Sequence, residues 1–448
     1  MLQHSINTIY YPNGEFERYQ IAYGFKWEDL EFVHPPFSHR AFDEILRSFR
    51  AHVIPKDHEL YGAVIFFHVP DSYELPFSSK SIFNKTLILS ERFKALKREG
   101  KLRRNGYDVA IDDEKTKRVF DDLLDEAWLG LGFGDKDDVE FIPVGDTLGY
   151  LSDVDNAELK VNSHFFLMDL FDNDSPYDYL GLPFGLAVKN GVVLQPPLFG
   201  REALVVRNNK DVYITCPDIS KMKIKIDGRI YEEGVNCTIF KRPECRITPS
   251  LSGVDIVIVN DRVVSIKKGG NTRIPMAGFV LNTREAESIV SPAVEYADDE
   301  LNDSVFAIQV GTSAVKDFKL MDSFSSPFFN IKVDEVPYPP TLYPLDYENA
   351  RAPRMVLASD KSDNPLLIWF EGASKLGYKK GKESAGASLS DVAAVCYKLG
   401  LKNAINLDGG GSAEMFIDEK MELLVSSRHP DSSPSERPIP LGLIIRKC

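Results

Sequence analysis

The run Leu399-Gly400-Leu401-Lys402-Asn403-Ala404-Ile405-Asn406-Leu407-Asp408-Gly409-Gly410-Gly411-Ser412-Ala413-Glu414-Met415-Phe416-Ile417 decides how the rest of this chain is read. Residues 404–407 and 415–417 are apolar and have the length of short buried strands. Between them stand one carboxylate, three consecutive glycines and a serine. Three glycines in succession lose much backbone entropy on folding and offer no side chain to pack. A tight hairpin or bulge is one reading. The other is a turn that lets backbone N–H groups approach a bound anion, with Asp408 held at a strand end. A triple glycine alone is a weak signal; between two strands and after a helix it is a stronger one. Asp408, Gly409, Gly410, Gly411 and Ser412 are the first candidate site residues.

Upstream, Ser388-Leu389-Ser390-Asp391 has the pattern of a capping box, with an acid placed to meet the positive end of a helix. Leu389, Val392, Ala393, Cys396 and Leu399 share one helical face, and Gly400 is the stop. Cys396 is therefore predicted to be core rather than nucleophile. Residues 355–358 and 366–370 read as buried strands, the first preceded by Arg351-Ala352-Pro353-Arg354 and the second followed by Glu371-Gly372. A strand–helix–strand order of this kind commonly leaves ligand-facing groups at strand ends.

Further back the chain is a series of strands and turns. Asn190-Gly191 marks a hairpin within residues 184–194. Residues 203–207 with 212–215, and 254–260 with 262–266, suggest two more, and 306–310 a further strand. Asn162 and His164 are embedded in an apolar, aromatic segment at 161–166. Residues 1–138 have a different texture, with helical faces predicted at 38–53 and 112–129 and strands at 62–67 and 86–89. His34, His39, His52, His58 and His68 show no ligand spacing and read as surface or satisfied core histidines. The basic segment 94–104 reads as a solvated helix face. The polar break at 132–138 is the predicted boundary. The expected class is α+β: a smaller α/β N-terminal domain at 1–138, then a β-rich, mixed-sheet domain with few helices at 139–448. No fixed repeat supports a solenoid or propeller.

The 448 residues carry a net charge of −14, which opposes a general nucleic-acid or anionic-membrane binder. No run has membrane-spanning length and no secretion signal opens the sequence, so a soluble, cytoplasmic chain is expected. Five cysteines without a C-x-x-C pair fit free thiols in a reducing compartment. The sequon Asn236-Cys237-Thr238 means little without a secretory route.

In chain order, Asn162…Phe165-Phe166, Ile274-Pro275…Gly278-Phe279-Val280-Leu281, Arg351…Arg354, Gly372, Gly386-Ala387-Ser388-Leu389, Asn406-Leu407-Asp408-Gly409-Gly410-Gly411-Ser412 and Glu436-Arg437-Pro438 resemble the phosphodiester glycosidase family. The resemblance covers roughly residues 140–448, and its most specific mark is the Asn406–Ser412 run. It implies hydrolysis of a sugar-1-phosphate diester to a free sugar and a phosphate monoester. A phosphate leaving group needs its charge neutralised more than it needs a proton, a task suited to guanidiniums. Arg351, Arg354 and Arg437 are the candidates, with Arg354 and Arg437 assigned to the diester oxygens and the N–H groups of residues 409–412 beside them. Asp408 is the expected catalytic carboxylate, at the anomeric carbon or its attacking water. Glu371 and Glu414 are the candidates for a second one. Asn162 and His164 are assigned hydrogen bonds to the sugar.

Departures from the family pattern bear on the substrate. Glu371-Gly372-Ala373 replaces a usual Asp-Gly-Arg, and Ser412-Ala413-Glu414-Met415 replaces Ser-Ser-Thr-Met. Glu414 repels phosphate unless it is turned away, protonated or metal-bound. The leading reading needs no cofactor and takes a small-molecule or oligosaccharide phosphodiester. Two alternatives stand beside it. One is a non-catalytic sugar-phosphate or polysaccharide-binding module. The other is a phosphoesterase with Ca²⁺ or Mg²⁺ held by Asp408, Glu371 and Glu414. The glycosidase reading requires Asp408, Arg354, Arg437 and Asn162 to converge.

Overall fold

Two antiparallel sheets meet at the Asp408 turn, and one helix covers the outer face of the larger sheet. The computed structural model describes residues 2–36, 87–90, 139–142, 148–167, 175, 177–178, 181–284, 291–321, 332–333, 336–337, 351–372, 378–426 and 435–447. In chain order the elements around the turn are β1 (Gln3–Tyr10), β2 (Phe16–Tyr23), β3 (Leu30–Val33), β4 (Ala157–Asn162), β5 (Ser313–Lys316) and β6 (Lys319–Leu320). They continue with β7 (Arg354–Ser359), β8 (Pro365–Phe370), α1 (Leu389–Lys398), β9 (Asn403–Asn406), β10 (Met415–Ile417) and β11 (Gly442–Arg446).

The seven-stranded sheet has the order β1-β2-β8-β7-β9-β5-β6, and the four-stranded sheet β10-β4-β11-β3. Every ladder in both is antiparallel, where the sequence predicts mixed sheets. The strand–helix–strand unit explains the difference. β8 and β9 point the same way, but β7 lies between them and pairs antiparallel with each.

Alternation along the strands builds two cores. Met355, Leu357, Leu367, Trp369, Ile405 and Leu407 face the other sheet, where Leu159, Val161, Met415, Ile417 and Leu443 meet them. Val356, Ala358, Ile368, Phe370 and Ala404 face α1. These strands are buried on both faces, which is why they read as unbroken apolar runs. α1 starts as predicted: the Ser388 hydroxyl accepts the Asp391 N–H at 3.1 Å, and Asp391 Oδ2 accepts the Ser388 N–H at 3.0 Å. Cys396 is buried against the sheet, and burial pushes its thiol up to about 12, which fits a core residue. Leu399 departs from its predicted stripe; it caps the helix and is 41% exposed.

The hairpin Ala187–Lys189 with Val192–Gln195 turns at Asn190-Gly191, both with positive φ, as expected. Ala203–Arg207 pairs with Val212–Thr215 in the same five-stranded sheet. Ser250–Val259 and Arg262–Gly270 form a third hairpin in a separate sheet.

The division at residue 138 separates strands that hydrogen-bond to one another. β2 pairs with β8 from Tyr19–Phe370 to Ala22–Leu367, and β3 with β11 from Leu30–Ile445 to Val33–Gly442. Leu87–Ser90, close to the predicted strand 86–89, pairs with Val139–Ile142 across the same point. Residues 3–33 thus lie in the sheets that the C-terminal part builds. The predicted elements at 38–53, 62–67 and 112–129, the basic segment, the break at 132–138, Ala373 and His39, His52, His58 and His68 lie outside the described residues. His34 is satisfied, its ring nitrogen 2.7 Å from the Pro440 carbonyl. Cys216, Cys237, Cys245 and Cys396 form no disulfide among the described residues. Among the described residues no helix is long and apolar enough to cross a membrane.

Candidate functional site

The chain changes sheets at Asp408. The Leu407 N–H still bonds to Met355 of β7 (2.7 Å), while the Asp408 N–H bonds to the Ser163 carbonyl after β4 (2.9 Å). Residues 410–412 then make a single turn of 3₁₀ helix before β10 begins in the second sheet. Gly410 has φ +64°, a conformation that L side chains rarely adopt, and its N–H bonds to the Pro353 carbonyl at 2.8 Å. The triple glycine thus makes the tight turn of the first reading, with Gly409 and Gly410 half-exposed at its surface.

Four groups meet the Asp408 carboxylate. The Ser412 hydroxyl and the Gly409 N–H hydrogen-bond to it, and the guanidiniums of Arg437 and Arg354 attract it. Each favours the ionised form. Burial works against them and wins, pushing the carboxyl up to about 7. Asp408 is 8% exposed and Arg354 3%. Arg354 is aimed by its Nε donating to the Ala387 carbonyl at 3.1 Å. Arg437 is held by its backbone N–H donating to Glu414 Oε1 at 2.7 Å, and its Nη1 lies 3.4 Å from the Ser412 hydroxyl. Glu436, beside it, accepts the N–H and the hydroxyl of Ser152 at 2.9 and 2.6 Å, anchoring that segment.

The other predicted residues take different places. Asn162 does converge on the turn, but as its clamp: its amide donates to the Asp408 carbonyl at 2.7 Å and accepts the Glu414 N–H at 3.1 Å. His164 is buried, its ring bonded to the Leu186 carbonyl at 3.0 Å and 3.0 Å from the Ser163 hydroxyl. Burial pushes its pKa down to about 4, so the ring stays neutral at pH 7. Both side chains hold the scaffold where the sequence reading had them hold the sugar. Glu414 is fully buried, its Oε1 accepting the Arg437 backbone N–H at 2.7 Å. Glu371 accepts the Leu424 N–H at 3.0 Å and pairs with Arg18 at 3.5 Å. Arg351 joins Glu17, Asp391 and Tyr11. The backbone cradle is also smaller than expected: the N–H groups of Gly409, Gly410 and Ser412 bond to Asp408, Pro353 and Gly409.

No group of three or more His, Cys, Asp or Glu side chains is placed to hold a metal ion among the described residues. A groove of about 960 Å³ lies elsewhere, between Val192–Gln195 and the Asp261 turn, and includes none of the predicted site residues. The Ser163, Pro353 and Ala387 carbonyls were missed by sequence reasoning. Backbone acceptors leave no residue-type signal.

Residues 247–446 match the family model described as phosphodiester glycosidase. Over that stretch, the chain resembles phosphodiester glycosidases. The match includes Arg351, Arg354, Glu371, Asp408–Ser412, Glu414 and Arg437, and leaves out Asn162 and His164. Among curated proteins, none matches the chain. Three solved structures are similar to it at low identity. A hypothetical protein from Synechocystis is 16% identical over 68% of this chain and 54% of its own, with a TM-score of 0.38. The chain thus spans about half of that protein. A protein from Burkholderia pseudomallei K96243, described as exported, is 14% identical over 100% of this chain and 97% of its own (TM-score 0.40). The zebrafish N-acetylglucosamine-1-phosphodiester alpha-N-acetylglucosaminidase catalytic domain, auto-inhibited by its pro-peptide, is 11% identical over 100% and 84% (TM-score 0.39).

Proposed function

We propose that this protein hydrolyses the glycosidic bond of a sugar-1-phosphate diester. The observation that carries the reading is the Asp408 carboxylate, nearly enclosed and attracted by two guanidiniums from distant parts of the chain. Arg354 and Arg437 take the diester oxygens. As the bond between the anomeric carbon and the bridging oxygen breaks, the electron pair stays with the phosphate, and the two guanidiniums carry the growing charge. Asp408 acts in its ionised form, about half populated at pH 7, at the anomeric carbon or on the attacking water. The phosphate monoester leaves as a stabilised anion, so a second carboxylate acting as an acid is dispensable. That agrees with Glu371 and Glu414 being bonded elsewhere.

Hydrolysis of a panel of sugar-1-phosphate diesters in ¹⁸O-labelled water tests the reading. The label is expected in the released sugar. Asp408→Asn should lower turnover by about 10²–10⁴-fold, the usual range for a positioned proton-transfer group. A binding module instead gives no turnover and keeps its ligand in Asp408→Asn. Label in the phosphate, or loss of activity on chelation, points to the metal-dependent phosphoesterase.

A further inference from the structure

A second set of charged groups stands on the α1 side of the same sheet end. Glu17 on β2 has 0% of its surface exposed. Its Oε2 accepts a 2.5 Å hydrogen bond from the Tyr11 hydroxyl, and the Arg351 guanidinium stands 3.9 Å from the same oxygen. Its Oε1 is buried with no hydrogen-bond partner. Enclosing a carboxylate with half of its acceptors unused is costly, and burial pushes its pKa up to about 7. Nothing in the site chemistry employs this acid directly. Arg351 has three further contacts: Asp391 Oδ2 at 3.4 Å, the Gly386 carbonyl at 3.0 Å, and the Tyr11 ring, 5.1 Å to its centre.

The Gly386 contact connects this cluster to Asp408. Arg351 donates through Nη1 to the Gly386 carbonyl, and Arg354 donates through Nε to the next carbonyl, Ala387. Between the two arginines, Ala352 and Ala387 exchange both backbone hydrogen bonds, at 3.2 and 3.0 Å. The 386–387 turn has little room to move: a methyl at Gly386 would sit 2.9 Å from the Ala352 nitrogen. β2 grips the same turn from its other side. The Ala385 N–H bonds to the Phe16 carbonyl at 2.8 Å, and the Ser384 hydroxyl accepts the Arg18 N–H at 3.1 Å. Arg351 and Arg354 thus hold adjacent carbonyls of one turn.

We propose that Glu17 is a positioning residue for the site: held by Tyr11, it anchors Arg351 and, through the 386–387 turn, sets the direction of the Arg354 guanidinium. The proposal rests on the reading of Arg354 as a phosphate ligand. Glu17 itself touches no substrate. Arg351, matched by Glu17 and Asp391, is a structural cation here.

Steady-state kinetics of the full chain test this. Glu17→Gln is expected to raise KM for a sugar-1-phosphate diester about 3- to 30-fold and to lower kcat with it, because Arg354 holds the diester before and during bond cleavage. Tyr11→Phe removes only the hydroxyl and should shift KM in the same direction by less. In an Arg354→Ala background Glu17→Gln should add nothing, because the group it aims is gone. Urea midpoints establish that each variant is folded, and Tyr11→Phe carries the test if Glu17→Gln is not. An unchanged KM, or an equal rise with and without Arg354, overturns the proposal. If the wild-type chain turns over no diester, the glycosidase reading fails on its own. Calorimetric titration with inorganic phosphate then makes the same comparison. Weaker phosphate binding by Glu17→Gln supports the positioning role. Equal binding, or a wild-type chain that binds no phosphate, overturns it.

Discussion

Asp408 shows what burial does to a carboxylate even when two guanidiniums attract it. Its pKa of about 7 lies above the value near 4 that the unfolded chain would have. Between these two values the folded protein holds a proton that the unfolded chain has lost. This group's contribution to stability therefore falls as pH rises from about 4 to 7, by about 4 kcal/mol in all. Asp408→Asn should remove that dependence, so the variant gains on wild type between pH 4.5 and 7.5. Urea denaturation at both pH values measures it, and parallel behaviour of the two proteins would mean that the carboxylate is hydrated. That Asp408, Arg354 and Arg437 come together was legible from sequence because each sits in a short motif of charged residues and glycines. The scaffold roles of Asn162 and His164 were not, because a polar residue in an apolar segment reads alike whether it faces a ligand or a neighbouring backbone. Glu17 left no trace either: its neighbours Tyr11, Arg351 and Asp391 come from three separate stretches.

At the scale of elements, the turn at 384–388 links three parts: β2, the Arg351–Arg354 segment and the start of α1. Gly386 has φ +77° and lies against the Ala352 backbone, so an alanine there meets both strain and contact. Gly386→Ala is predicted to destabilise by about 1–3 kcal/mol and to weaken phosphate binding together with stability. Urea midpoints and phosphate titration read the two effects, and a destabilised variant with unchanged phosphate affinity would uncouple the turn from the site. The hairpins and α1 were visible in sequence through Asn-Gly turns, capping residues and apolar faces. β1 was not. It is a polar edge strand, Gln3–Tyr10, with no fully buried side chain, so it has no apolar pattern to read.

The whole molecule joins its first residues to its last. β2 covers the edge of β8, and β3 lies along β11, so neither sheet is complete without residues 3–33. Tyr19, Ile21, Ala22, Trp27 and Leu30 are buried there, packed with side chains from residues 159–445. A buried side chain of the larger kinds contributes about 1.5–3 kcal/mol, and four of them together reach the whole net stability of an ordinary domain, about 5–15 kcal/mol. A chain beginning at residue 139 also loses Tyr11, Glu17 and Arg18, hence the grip of β2 on the 384–388 turn. Residues 139–448 expressed alone are therefore predicted not to fold cooperatively. Circular dichroism with urea titration distinguishes the outcomes: a broad or absent transition is expected, whereas a sharp one would restore the boundary at 138 and make the strands at 3–33 dispensable. Sequence could not reveal this arrangement, because the pairing partners lie more than 300 residues apart and strand contacts over that distance leave no local pattern.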